Sequence, residues 1–196
     1  MKVIKELVKN TPDNSKYSFL EKYIKEFDCF VAGGCFKDLI VGKVPKDIDL
    51  FFKSYDFAKQ AISSAKVNSN YKFIRKSDMC YEFLDKTTGL HIQIVTSHTF
   101  KTPEETLDNF DFTVSKFLMF KEEGGETKTL RHEDFFDDLS DKRLVLGEVK
   151  YPVHTLLRII RYSKYGFNCE DEDVINILIK IFEEVEIDEL YEMFYL

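Results

Sequence analysis

"FVAGGCFKDLIVGKVPKDIDLFF", Phe30 to Phe52, is the stretch from which both fold and chemistry are read. An apolar run ends in Gly33 and Gly34, a short segment carrying Lys37 and Asp38 is closed by Gly42, and a second apolar run opens with Asp47 and Asp49 flanking Ile48. Side chains two apart in a strand share a face, so the two carboxylates stand side by side while Ile48 enters the core. Like charges so placed repel unless a cation lies between them, and hard oxygen ligands suit Mg2+ or Mn2+. A glycine pair lets the backbone approach a ligand and turn N–H groups outward ahead of a helix, as phosphate cradles do. The expected occupant is a nucleoside triphosphate with its metal. Each half also has an ordinary reading, a plain turn for the glycines and a solvated strand edge for the acids.

Working outward, periodicity gives an α/β front and a helical back. Helices are expected over 17–27, 36–41, 55–66 and 103–109, and strands over 29–33, 47–52, 71–76, 81–86, 91–96 and 111–120, with a turn at 122–126. "KTTG" (86–89) joins two strands in a hairpin. From Pro152 the pattern is helical only, with Leu156, Leu157, Ile160 and Tyr162 on one stripe, a stop at Gly166, and a second amphipathic helix over 170–185 with acids in its first turn. The boundary falls near "GEVKYP", dividing a head (1–150) from C-terminal helices (151–196).

The chain has 196 residues, 44% hydrophobic and 32% charged, enough for one core with a small helical appendage. No apolar run approaches the ~20 residues of a membrane span and no secretion signal is evident, so a cytoplasmic protein is expected. The four cysteines and four histidines show no ligand spacing, which argues against zinc and a disulfide framework. Residues 168–196 carry ten acids against Lys180 alone, a charge of −9 that leaves residues 1–167 at +2. A polyanion would therefore meet the front part, and the acidic end is either a solvated helix face or a surface for a protein partner.

Gly-Gly-x-x-Lys-Asp followed by Asp-x-Asp resembles the signature of the DNA polymerase beta nucleotidyltransferase superfamily, in the branch of CCA-adding enzymes and bacterial poly(A) polymerases (class II), with Lys37 in place of an arginine. "DFTVSKF" (111–117) is similar to the branch's Arg-Asp-Phe-Thr-x-Asn motif, with Phe110 and Ser115 replacing its arginine and asparagine. "FFDDLSDKRLVL" (135–146) is similar to its acidic Asp-Leu turn, and "LLRIIRYSKYGF" (156–167) to its neck helix, with Arg158 and Arg161 matching two arginines.

The resemblance runs from about Val31 to Phe167 and implies an α+β fold, a mixed-sheet head flanked by helices and followed by a small helical neck. It also implies transfer of a nucleoside monophosphate from a triphosphate, ATP among the candidates, to a hydroxyl acceptor. The acceptor would be a tRNA or other RNA end, a protein or a small molecule. Asp47 and Asp49 would hold two metal ions, and Gly33, Gly34, Lys37 and Asp38, with Arg158 and Arg161 from the neck, would bind the nucleotide.

Two departures stand out. Gln93 occupies the place of the superfamily's third carboxylate, and a glutamine binds metal only through a neutral oxygen. Asp111 is the favoured catalytic substitute and Glu82 the alternative. Only 29 residues follow Phe167, so transfer of single nucleotides is expected in preference to long RNA synthesis. Three readings stay open: an active minimal nucleotidyltransferase, a nucleotide-binding module without turnover, and a partner-binding protein of toxin–antitoxin or counter-defence type. Phe110 or Phe112 either stacks a base or packs in the core.

Overall fold

The computed structural model describes residues 14–184; readings that fall on 1–13 or 185–196, including the end of the acidic tail, lie outside them. After two 3-10 turns come α1 (Glu21–Phe27), β1 (Phe30–Ala32), α2 (Gly34–Ile40), β2 (Ile48–Phe51), α3 (Tyr55–Val67), β3 (Tyr71–Lys76), β4 (Cys80–Asp85), β5 (Leu90–Val95) and α4 (Pro103–Asp108). A 3-10 turn (Thr113–Ser115) leads into β6 (Phe117–Lys121), β7 (Thr127–Arg131), α5 (Phe135–Ser140), α6 (Pro152–Ser163) and α7 (Asp171–Glu184). The strands form one mixed sheet in the order β3-β4-β5-β2-β1-β6-β7, in which only β2 and β5 pair in parallel.

Strand alternation sorts the apolar residues between the two faces. Val31, Ile48, Leu50, Phe83, Ile92, Ile94, Phe117 and Met119 point to the face covered by α1, α2 and α3, where they meet Tyr23, Ile24, Phe36, Ala58 and Ile62 in the main core. Phe30, Ala32, Phe51, Val95, Leu118 and Phe120 point the other way and meet Leu107 of α4 in a smaller cluster. α4 begins where Thr102 caps it, its Oγ1 accepting from Glu105 N–H at 3.2 Å with Pro103 in the first turn. Pairing of Ala32 with Asp49, Asp49 with Gln93, Gln93 with Glu82 and Glu82 with Arg75 lays these side chains in one row on the face away from the main core.

Three sequence expectations are corrected. "DFTVSKFLMF" is not one strand. Phe112 bridges Leu146 and Thr113 N–H donates to Val145 O, which folds 113–115 into a 3-10 turn and delays β6 to Phe117. Strand β7 and helix α5 had no counterpart in the pattern reading. On α6 the inward stripe is Thr155, Ile159 and Tyr162 rather than one that includes Ile160, which is exposed because the helix is packed between the 3-10 turn region and α7.

Two buried acids fasten distant parts of the chain. Asp138 accepts from Thr113 Oγ1 at 2.6 Å and from Arg143 at 2.8 Å, joining the 3-10 turn to α5. Asp85, fully buried, takes Lys22 as its ion-pair partner and accepts from Tyr23 at 2.7 Å, Thr87 Oγ1 at 2.7 Å and Thr88 at 2.9 Å. Burial would raise the Asp85 carboxyl, but hydrogen bonds from Lys22, Thr87 and Tyr23 outweigh it and hold the group well below the usual carboxylate range. Its stabilisation is complete above the unfolded carboxyl value and is lost as pH falls through the folded one. Asp85→Asn is therefore expected to lower stability in chemical denaturation by about 3 kcal/mol at pH 7, and the deficit should shrink as the pH is taken below about 4.

Candidate active site

The β1–α2 turn builds one wall of the site. Gly33 has φ +95°, a conformation open to glycine at little cost, and a Cβ there would lie 3.0 Å from the Phe110 ring and 3.6 Å from Asp49 Oδ2. Its N–H is not turned outward to a ligand as the sequence suggested, because it donates to Phe117 O at 3.0 Å. Gly34 opens α2 close to the Tyr162 hydroxyl, which would lie in ordinary contact, 3.7 Å, from a Cβ placed there. Phe110 lies against Gly33 and edge-on to Phe51 at 5.7 Å, a packing role.

Asp47 stands just before β2 and Asp49 within it, both half-buried on the open face. Neither has an ion-pair partner among the described residues. Asp47 Oδ2 accepts from Gln93 Nε2 at 3.3 Å, and Gln93 Oε1 faces the Cys80 thiol at 3.7 Å. Burial first, and the Asp47 charge next, push the Asp49 carboxyl up to about 7 against a smaller opposing pull from Arg158.

The other acids are matched with bases. Asp111 is buried in an ion pair with Arg158, and Asp38 pairs with its neighbour Lys37. Glu82 receives Arg75 Nε at 2.5 Å and His91 Nδ1 at 2.6 Å, and these hydrogen bonds outweigh burial to hold its carboxyl below the usual range. Among the described residues no three His, Cys, Asp or Glu side chains are grouped to hold a metal ion. Asp47 and Asp49 nevertheless fit a hard divalent cation, being two accessible carboxylates with no competing base.

From Asp47 a cleft of about 570 Å³ opens between α2, the 41–46 loop and the end of α6. Gly34, Lys37, Asp38, Asp47 and Arg161 line it together with Lys43, Lys46, Lys142, Tyr162 and Tyr165, so five basic side chains face two acids. Tyr162 lies beneath both Lys37 (5.4 Å to the ring centre) and Arg161 (5.9 Å), ties α6 to Ser115 through its hydroxyl at 3.4 Å, and packs on Phe112. Positive charge over this volume suits a polyphosphate.

Lys43, Lys46, Lys142 and Tyr162 were missed in the sequence. The two lysines flanking "VP" just ahead of the aspartates were the one available signal; Tyr162 had been placed in a core stripe.

Asp49 carries a folded-state value above its unfolded one, so its contribution is fully present below about pH 4 and is lost as pH rises through 7. Asp49→Asn should raise stability by about 1–2 kcal/mol at pH 8 and leave it unchanged at pH 4, as read from thermal melts at the two pH values.

The solved structure of a CCA-adding enzyme with CTP matches 94% of this chain and 47% of its own length at 21% identity, with a TM-score of 0.62. The Thermotoga maritima CCA-adding enzyme complexed with tRNA matches 92% and 45% at 22% identity and 0.58, and a CCA-adding enzyme with ATP 84% and 41% at 20% and 0.62. These likenesses show the fold: a nucleotidyltransferase-type head followed by the first neck helices. Gabija anti-defense 2 of Bacillus phage SPbetaL7 is 28% identical over 174 residues, 85% of this chain and 41% of that protein. The chain thus spans less than half the length of the relatives it matches. The profile described as "Gabija anti-defense 2 family protein" covers residues 2–142, and the chain belongs to that family.

Proposed function

We propose that the chain is a divalent-cation-dependent nucleotidyltransferase that serves counter-defence by modifying a hydroxyl acceptor. The observation that carries this reading is the pair Asp47 and Asp49, without an ion-pair partner among the described residues, with Asp47 lining a basic cleft. CTP, ATP and tRNA accompany the CCA-adding enzymes of like fold, which makes a nucleoside triphosphate the donor to test first and an RNA end one of the acceptors. Protein and small-molecule hydroxyls are the others.

In the reaction the acceptor hydroxyl gives up its proton to solvent, its oxygen forms a bond to the α-phosphorus, the bond from that phosphorus to the α–β bridging oxygen breaks, and pyrophosphate leaves. A bound Mg2+ or Mn2+ would supply charge neutralisation and lower the acceptor hydroxyl's pKa. Asp47 and Asp49 would hold it. Lys37 and Arg161, both set against the Tyr162 ring, would draw the phosphates into line beside the start of α2. Arg158 and Asp111 act as a pair: the arginine fixes the neck against the head and keeps Asp49 from rising further.

A second reading, a partner-binding protein that retains the fold without turnover, is favoured by α7. Ile175, Leu178, Ile179 and Phe182 form an exposed apolar stripe there beside the acidic first turn Asp171 to Asp173.

One experiment separates the two: incubation with each of the four labelled ribonucleoside triphosphates, Mg2+ or Mn2+, and cellular RNA and protein. Pyrophosphate release with label on one fraction is expected, and Asp47→Ala or Asp49→Ala should lower it at least about 100-fold without lowering the thermal midpoint. Triphosphate binding with no turnover on any fraction would select the second reading.

A further inference from the structure

Gln93 stands in β5 directly beside Asp49, in the row where the superfamily's third carboxylate is expected. Its amide is not idle. Nε2 donates to Asp47 Oδ2 at 3.3 Å and Oε1 faces the Cys80 thiol at 3.7 Å. That pair of contacts sets the amide's orientation: turned over, Oε1 would oppose a carboxylate oxygen and Nε2 would face a weakly accepting sulfur. The position nearest the aspartates therefore offers a hydrogen-bond donor to Asp47 and no oxygen to a cation.

The acids that might take its place are held by bases. Glu82, one strand further along the same row, is fixed by Arg75 and His91, and Asp111 by Arg158. Drawing either toward a cation would break a charged hydrogen bond and leave its base without a partner. Beyond the oxygens of the nucleotide, a second cation would find only the same two carboxylates, one of which already has an oxygen engaged by Gln93.

We infer that this site seats a single divalent cation, the one shared with the nucleotide's phosphates, and that Gln93 is a positioning residue that aims Asp47 at it while removing the seat of a second. The inference rests on the nucleotidyltransferase reading of the same site, and it departs from the two-ion arrangement that the resemblance implies. It also assigns Arg75, His91 and Arg158 a part in the ion count, since each keeps a neighbouring carboxylate out of reach.

The test is equilibrium dialysis of the full chain with Mn2+ and triphosphates whose α–β bridging oxygen is replaced by methylene, combined with electron paramagnetic resonance of the retained Mn2+. One Mn2+ per bound nucleotide, with the spectrum of an isolated ion, is expected. Gln93→Glu, with folding checked by thermal melt, should retain two and show the spectrum of a spin-coupled pair, while Gln93→Leu should stay at one. Two ions on the unaltered chain, or one still on a folded Gln93→Glu protein, would overturn the inference and leave the donor reading standing. No nucleotide retained at any Mn2+ concentration would overturn that reading, and the inference with it.

Discussion

The repulsion between two carboxylates held side by side, with no base paired to either among the described residues, is the constraint on which this structure turns. Register creates it: β2 lies between β1 and β5, which sets Asp49 against Ala32 and Gln93 and turns it, with Asp47, away from the main core. Ile48 and Leu50, on the opposite face of the same strand, are fully buried among the helices. A slip of one residue would bury both acids and expose both apolar side chains, so the hydrophobic core itself enforces the placement of the charges.

Around that pair the chain does something different with its other acids. Asp85 and Asp138 are sunk in the fold with full sets of donors and serve as fasteners. Glu82, Asp111 and Asp38 are each matched with a base on the borders of the site. Leaving Asp49 unmatched, with its carboxyl pushed up to about 7, is a local loss of stability kept where an incoming cation would relieve it. The five bases of the adjoining cleft have a matching logic: they surround a volume rather than neutralise the aspartates directly. Tyr162 ties the two together, its ring shared by Lys37 and Arg161 and its hydroxyl set near Gly34, so a shift of α6 would be felt at the basic side of the cleft.

Much of this was legible in order. Alternation around Ile48 gave the face of the two aspartates, and the glycine pair gave a turn that no other residue fits at φ +95°. The helix and strand runs from Tyr55 to Val95 follow local periodicity closely because their packing partners are neighbours in sequence. What failed depended on contacts far apart along the chain. The break in "DFTVSKFLMF" comes from pairing with Val145 and Leu146. Gln93 meets Asp47 across 46 residues, and Arg158 meets Asp111 across 47, contacts that no spacing rule could show. The outward turn of Gly33 N–H was misread for a like reason, its acceptor being the carbonyl of Phe117.

The chain belongs to the family described as Gabija anti-defense 2, and its fold is like that of CCA-adding enzymes. The most direct test of the proposed cation site is a crystal structure grown with Mn2+ and a non-hydrolysable triphosphate, with anomalous scattering used to locate the metal. The account predicts a peak about 2.1 Å from oxygens of both Asp47 and Asp49, with the phosphates reaching toward Lys37 and Arg161. Aspartates turned to solvent with no peak between them, or a nucleotide bound away from the glycine turn, would contradict it.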